Sequence, residues 1–561
     1  MIRRMTVLLL AAAAMVPGVS VVSQAQPQQL MTRHTRDAVV NGQAQSLGRL
    51  PASQTMRLTV VLALRHEPEL DNFVDQLYDP SSPSYRQFVT VKEFTERFGP
   101  SQEDYDAVIR FAGANGLKVV GGSRDGMNVQ LTGSVAAIEK AFHVTMGLYK
   151  HPTENRTFFA PDRELSVDLP FQLWHVSGLD NYSIPRPMLK HKDDAVVKSN
   201  VKGSCPGASY CGSDMRAAYY GGTSLTGTGQ TVGLLEFFGY AAADVKTYFK
   251  NIKQTNKVPI KGISTDGYTL KCLSSQGCDD TEQTIDIVQA ISMAPGLKTL
   301  NFYVGNPNTV DDTAILAAMS THNPLDAQLS SSWTWQPADP KTTDPFFIKF
   351  AVQGQNFFQA AGDDGAYNSG TPYVFPGDDA YVTSVGGTDL VTKSAGGAWS
   401  SERAWADGGG AYYTVDAFPI PAWQKLAGVI TSKNKGSKTL RNSPDVSAEA
   451  NFDFYVCSDQ GKNPYFDGQE CGANIYGGTS FAAPMWAGYM ALVNQQAVAK
   501  GGKTLGFINP LIYPLGLGKG YAAAFHDIIK GNNGFPAVKG YDLATGWGSP
   551  NGAGLINALA P

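Results

Sequence analysis

Thr231-Val-Gly-Leu-Leu-Glu-Phe237 is a short, almost unbroken apolar run. A strand with one wet face would alternate apolar and polar residues. An unbroken run is what a strand covered on both faces looks like, and that is the habit of parallel sheets. Three further runs share the character, Thr299–Val304, Gln328–Ser332 and Asn356–Ala361, with helical stretches between them. The pattern predicts an α/β unit, a parallel sheet covered by helices on both sides. In such units functional groups gather at the strand ends and in the loops beyond them.

Outward from this core, the chain has 561 residues, too many for one hydrophobic core, so at least two domains are expected. The net charge of −4 and the lack of a dense basic patch argue against nucleic acid as a partner. Met1-Ile-Arg-Arg4, the apolar run Thr6–Val16 and the small residues around Ser23-Gln24-Ala25 read as an export signal over residues 1–25. No later run is long and apolar enough for a membrane span, so a secreted, extracellular monomer is expected, with the periplasm as a transit compartment. Six cysteines fall in sequence-near pairs, Cys205 with Cys211, Cys272 with Cys278 and Cys457 with Cys471. In an exported chain this favours disulfides over a zinc site, with the connectivity left open.

Before the α/β unit lies a smaller region. Strand-like Met56–Leu64, helical Leu70–Tyr78 and Ser101–Phe111, strand-like Leu117–Val120 and Asn128–Leu131, a helix over Ala136–Phe142 and strand-like Val144–Tyr149 succeed one another. Two β-α-β passes predict a small α+β sandwich with helices on one face. Arg186 to Ser204 turns hydrophilic and is expected as an exposed linker, where nicking is easiest. The expected division is therefore 1–25, 26–185, 186–204 and 205–561.

Gly477-Gly478-Thr479-Ser480-Phe481-Ala482-Ala483-Pro484 precedes a strongly apolar helix. Ser480 then sits at a helix N-terminus, where free N–H groups and the dipole favour negative charge beside it. Alone, the motif reads equally well as a serine cap. A nucleophilic serine needs a base, and only His322 and His526 lie beyond the linker, neither in a catalytic-looking context. A Ser-His-Asp triad is therefore not expected. Carboxylates are available. Glu282 and Asp286 are four apart near the start of a helix stopped by Pro295, so they share one face. Asp363, in Ala360-Ala-Gly-Asp363-Asp364-Gly365, comes after an apolar strand.

These motifs resemble those of the sedolisin, or serine-carboxyl, peptidases, and most of all the kumamolisin-like precursors. The resemblance implies a subtilisin-like fold and a serine-type endopeptidase. It gives Glu282 as general base, Asp286 as the acid that orients it, Asp363 as the oxyanion acid and Ser480 as nucleophile. It adds Glu236 and Trp333 as extensions of the hydrogen-bond chain. Asp364 and Gly477 stand where the family often carries Ser. Because Asp363 must be neutral to donate, activity is expected in acid, around pH 3–5, near ordinary carboxyl values.

The resemblance also covers a loop near the C-terminus. Two carboxylates and turn carbonyls suit a hard cation, and the implied structural Ca2+ ligands are the side chains of Asp527 and Asp542 with the carbonyls of Ile528, Val538 and Gly540. Ser82-Pro-Ser-Tyr85 through Pro100 resembles the family's activation propeptide. This implies that residues 26 to about 200, as a ferredoxin-like domain and linker, block the cleft until autocatalytic removal between Arg186 and Ser204. Protein or peptide substrates and the chain's own propeptide are the expected partners. Val374 stands where related members carry an acid, so an apolar residue before the cut bond is expected at least as much as Arg or Lys. A secreted esterase fails on its motif, since Ser480 is followed by Phe-Ala-Ala and not x-Gly. A catalytically dead relative fits poorly with four filled catalytic positions.

Overall fold

The computed structural model describes residues 27–192 and 201–561, except 274, 276, 310, 368–374, 415 and 416. The export signal over 1–25, residues 193–200 of the linker and Val374 lie outside the described residues.

The larger unit is built on an eight-stranded sheet. Its spatial order is Ile260–Ser264, Thr299–Val304, Thr231–Glu236, Gln328–Ser331, Asn356–Ala360, Thr383–Thr392 and Trp399–Ala404, and Val446–Glu449 also pairs with Thr383–Thr392. All pairs are parallel except that of the edge strand Trp399–Ala404. The four apolar runs are central strands of this sheet, and their residues are buried almost without exception. The edge strand escapes such a reading because exposed and buried residues alternate along it.

Two helices pack against each other inside this unit. Thr281–Met293 is buried at every position, and Thr479–Ala499 is buried from Thr479 through Asn494. They approach closely through Gly488, where an added Cβ would lie 2.8 Å from the Ala290 carbonyl and 2.9 Å from the Met293 Cβ. Gly488 lies eight residues after Ser480, and Ala290 eight after Glu282. Ser332 ties the other ends together by reaching both Asp286 and the Ser480 carbonyl, so the helices run side by side with both N-termini at one end, roughly 12 Å from the Gly488 contact.

The N-terminal unit carries a four-stranded antiparallel sheet in the order Lys118–Ser123, Asn128–Ser134, Thr55–Leu62, Leu173–Ser177. With helices Glu67–Tyr78 and Gln102–Ala114 after the first strand and Val135–Phe142 after the third, this is the β-α-β-β-α-β arrangement of a ferredoxin-like domain. Ser101 caps its helix by accepting from the Asp104 N–H. The full reciprocal box is at Thr90 and Glu93, on a short helix Val91–Arg97 that periodicity did not reveal. Val144–Tyr149 joins a separate three-stranded sheet as Met146–Lys150.

The two units share a core. Phe94 and Phe98 from the first cluster with Phe346, Phe347 and Phe350 from the second. The Tyr78 hydroxyl donates to the Ala351 carbonyl at 2.7 Å and accepts from the Phe507 N–H at 2.8 Å. Thr59 donates to Asp311, and Ser177 meets Thr313. Three disulfides join the cysteine pairs that are neighbours in sequence, 205–211, 272–278 and 457–471. Among the described residues no helix is long and apolar enough to cross a membrane.

In the first part of the expected linker, Arg186, Pro187 and His191 are exposed, but the backbone of 186–192 is not free. Arg186–Pro187 pairs with Trp333–Thr334, and Lys190–His191 with Tyr476–Gly477, both antiparallel. Met188, between them, is 6% exposed. Hydrophilic composition concealed this because the pairing uses backbone groups, which every residue possesses.

Candidate active site

The C-terminal ends of three neighbouring strands meet the shared N-terminal end of the two buried helices. Glu236 closes its strand, Ser332 comes directly after Gln328–Ser331, and Asp363 lies just beyond Asn356–Ala360. The two helices add Glu282 and Asp286 from one and Ser480 from the other. Glu236, Glu282, Asp286, Asp363 and Ser480 are all buried. Both helix dipoles put their positive ends here, which favours carboxylates and any developing oxyanion.

Hydrogen bonds set the order of the group. Trp333 Nε1 donates to Glu236 Oε2 at 2.7 Å. The Ser332 hydroxyl donates to Asp286 Oδ1 at 2.6 Å. Both carboxyl oxygens of Glu282, the second oxygen of Asp286 and the second of Glu236 are buried and receive no well-aligned hydrogen bond among the described residues, although the Ser480 and Ser332 hydroxyls lie near enough to Glu282 to favour its charged form. Asp363 is divided in its use. Its Oδ1 accepts from the Thr479 N–H at 2.8 Å and from the Thr479 hydroxyl at 2.9 Å, while Oδ2 is buried and accepts nothing. Oδ2 faces Gly478, where an added Cβ would lie 2.8 Å from it. Only a residue without a side chain fits there.

Burial dominates the electrostatics. It pushes Asp363 up to about 8, against the Thr479 donors and the charge of Lys190. Asp286 is pushed up to about 7, again by burial and against Ser332, Glu236 and Glu282. Glu282 and Glu236 rise well above the usual carboxyl range, first by burial and then by the neighbouring Asp286. Carboxyls this close and this dry share protons as a set.

The Ser480 hydroxyl donates to the Met188 carbonyl oxygen at 2.5 Å, and the Ser480 N–H reaches the same oxygen at 3.2 Å. No hydrogen bond joins a histidine to Ser480 among the described residues. His322 bonds the Pro324 carbonyl, and His526 stacks on Trp399. Ser332 and Thr479 had no signal of their own in the sequence beyond flanking Trp333 and Ser480.

At the C-terminal loop, Asp527 Oδ1 accepts from the Gly540 N–H at 3.1 Å and Asp542 Oδ2 from the Val538 N–H at 2.8 Å. Both carboxylates therefore lie on the turn 538–540. Among the described residues neither forms a salt bridge with Lys or Arg, although Asp542 is fully buried. No group of three or more His, Cys, Asp or Glu gathers as a metal site among the described residues. Asp527 Oδ1 also accepts from the Tyr521 hydroxyl at 3.0 Å, and Asp542 Oδ1 accepts from the Ala544 and Thr545 N–H groups and the Thr545 hydroxyl. What the loop offers a hard divalent cation is the donor chemistry of two carboxylates, which the carbonyls of Ile528, Val538 and Gly540 would have to complete.

Comparison with known proteins bears on these groupings. The family model "Pro-kumamolisin, activation domain" matches residues 42–182, and "Subtilase family" matches residues 278–504. Kumamolisin from Bacillus sp. (strain MN-32) is 30% identical, with 92% of this chain and 94% of the relative aligned. Sedolisin from Pseudomonas sp. (strain 101) is 25% identical over 91% of this chain and 86% of its own. The solved structure of Pseudomonas sedolisin, a serine-carboxyl proteinase complexed with two molecules of pseudo-iodotyrostatin, superposes with a TM-score of 0.51 at 24% identity. It covers 98% of that chain and 64% of this one, so the two share the subtilisin-like fold. With an activation domain ahead of a sheet-and-helix unit that gathers one serine and four buried acids, the chain belongs to the sedolisin, or serine-carboxyl, peptidase family and is a serine-type peptidase.

Proposed function

We propose that the chain is exported as a zymogen and, once processed, acts in acid as an endopeptidase, with Ser480 as nucleophile and Glu282 as its base. The observation that carries the reading is the company Ser480 keeps. Buried carboxyls stand beside it where a histidine would otherwise stand, Glu282 within reach of its hydroxyl and Asp363 facing Gly478 two residues before it. A base must lie within reach of the hydroxyl, and the polarity of the Ser480 hydroxyl bears directly on the Glu282 carboxyl.

In this mechanism Ser480 Oγ attacks the scissile carbonyl carbon and its proton passes to Glu282. Asp286 shares the proton with Glu282, and Ser332 holds Asp286 in place. Glu236 and Trp333 extend the same chain. Asp363 serves the oxyanion. Its Oδ1 already takes two donors from Thr479, so in the neutral acid the proton belongs on Oδ2, the oxygen aimed past Gly478. A neutral carboxyl there donates to developing charge; an ionised one repels it. The Glu282 proton then protonates the leaving amine, and water hydrolyses the acyl-enzyme.

Export is supported by the N-terminal leader pattern and by three disulfides. A Ca2+ ion held by Asp527, Asp542 and the carbonyls of Ile528, Val538 and Gly540 would neutralise the two acids and tie the loop together, with no part in the reaction. The test is to express the precursor and a Ser480→Ala version, acidify both and follow mass and peptide hydrolysis. Processing and peptidase activity in the first alone are expected. Equal processing of both, with no activity gained, refutes the assignment.

A further inference from the structure

The strand that threads the cleft has a register, and the register singles out one bond. On one side Arg186 stands opposite Thr334 and Pro187 opposite Trp333, and the Met188 N–H donates to the Ser332 carbonyl at 2.8 Å. On the other side Lys190 stands opposite Gly477 and His191 opposite Tyr476, and the Lys192 N–H donates to the Ile475 carbonyl at 2.7 Å. The two ladders lie on opposite sides of Ser480, and the chain passes between them at Met188–Leu189. An extended peptide paired on both sides of a nucleophile is held as a substrate is held, by main-chain bonds.

The carbonyl of Met188 is turned toward the reacting groups. Its oxygen receives the Ser480 hydroxyl and the Ser480 N–H. A Cβ placed on Gly478 would lie 2.3 Å from this oxygen, 2.8 Å from Asp363 Oδ2 and 3.1 Å from the Leu189 Cα. The carbonyl oxygen and the unpartnered acid thus lie within 3 Å of one point, on the doorstep of the next residue. A strand serving only as a plug has no need to present its carbonyl to both the nucleophile and the oxyanion donors.

Side chains extend the register. Met188 is buried among the apolar core residues of the larger unit. Two residues past the carbonyl-bearing Met188, Lys190 Nζ lies 2.9 Å from Asp364 Oδ1. His191 stacks on Tyr465 with ring centres 4.0 Å apart. Asp364 neighbours Asp363 in sequence yet bonds to the bound strand and not to the catalytic group.

We propose that the linker is the first substrate of the site, that the bond cut is Met188–Leu189, and that Asp364 selects a basic residue at the second position after the cut. The proposal rests on the peptidase reading above. Ser480 Oγ adds to the Met188 carbonyl carbon as its proton passes to Glu282. The C–N bond to Leu189 breaks, and the Leu189 nitrogen leaves as an amine carrying that proton. Water then cleaves the Met188 ester, leaving a Met188 carboxylate and a free Ser480 hydroxyl. The same register applied to other substrates calls for an apolar residue before the cut and Lys or Arg two places after it.

The experiment uses the full precursor and its Ser480→Ala version, both acidified and sampled from the earliest times by intact mass and N-terminal sequencing. The first Ser480-dependent products should be a fragment ending at Met188 and a chain beginning at Leu189. A first Ser480-dependent cut at any other bond overturns this proposal and leaves the peptidase reading intact. Absence of any Ser480-dependent cut sinks both. The processed enzyme is then given the peptide Ile-Pro-Arg-Pro-Met-Leu-Lys-His-Lys and a copy with Ala in place of the Lys after Leu. Exposed ion pairs are worth about 0.2–1 kcal/mol, so kcat/KM for the first peptide should exceed the second by about 1.4- to five-fold. In Asp364→Asn that ratio should fall to about one. An unchanged ratio removes Asp364 from the proposal.

Discussion

Asp363 makes a prediction that separates its charge from its shape. Asn in its place keeps an acceptor for Thr479 and a donor on the other atom, but it cannot ionise. The carboxyl of Asp363 moves from an ordinary value of 3.8 to about 8, through burial above all. The folded chain therefore holds a proton that the unfolded chain releases. Stability from this group is fully present below pH 3.8 and is lost as pH rises towards 8. At 1.36 kcal/mol per unit, the loss between pH 4 and pH 8 is about 5 kcal/mol. The assay is denaturant unfolding of the precursor, with Ser480→Ala present in both proteins so that no cleavage intrudes. The Asp363→Asn protein should gain on its Asp parent by about 5 kcal/mol across that range, with the two curves closest in acid. Parallel curves within about 1 kcal/mol would mean that Asp363 titrates near its ordinary value. The neutral oxyanion donor would then exist only below about pH 4.

Two further outcomes are expected of the other groups. Glu282→Gln removes the base while keeping its size, and Asp286→Asn removes the shared proton, so kcat should fall by about 10²–10⁴ in each, with KM changing less. A fall confined to KM would move both residues from chemistry to binding. Chelation of divalent cations should lower the melting temperature of the precursor by several degrees through loss of the Asp527 and Asp542 loop, and a double Asp527→Asn, Asp542→Asn variant should lose that response. An unchanged melting temperature on chelation argues that the loop holds no ion.

Local pattern carried much of the fold. The apolar runs were legible as central strands because a strand covered on both faces has little room for polar residues. Glu282 and Asp286 shared a helical face by spacing alone, and the scarcity of histidine directed attention to acids. The resemblance to a known family then assigned roles that spacing left open. What tertiary structure decided were the partners. Ser332 reaches Asp286 across 46 positions, Thr479 reaches Asp363 across 116, and Ser480 reaches Met188 across 292. The linker composition spoke of solvent, yet the backbone of its residues 186–192 lies paired in the cleft. Periodicity records which face of an element is buried. It is blind to which distant backbone or hydroxyl that face will meet, since such a bond depends on chain crossings and not on neighbouring side chains.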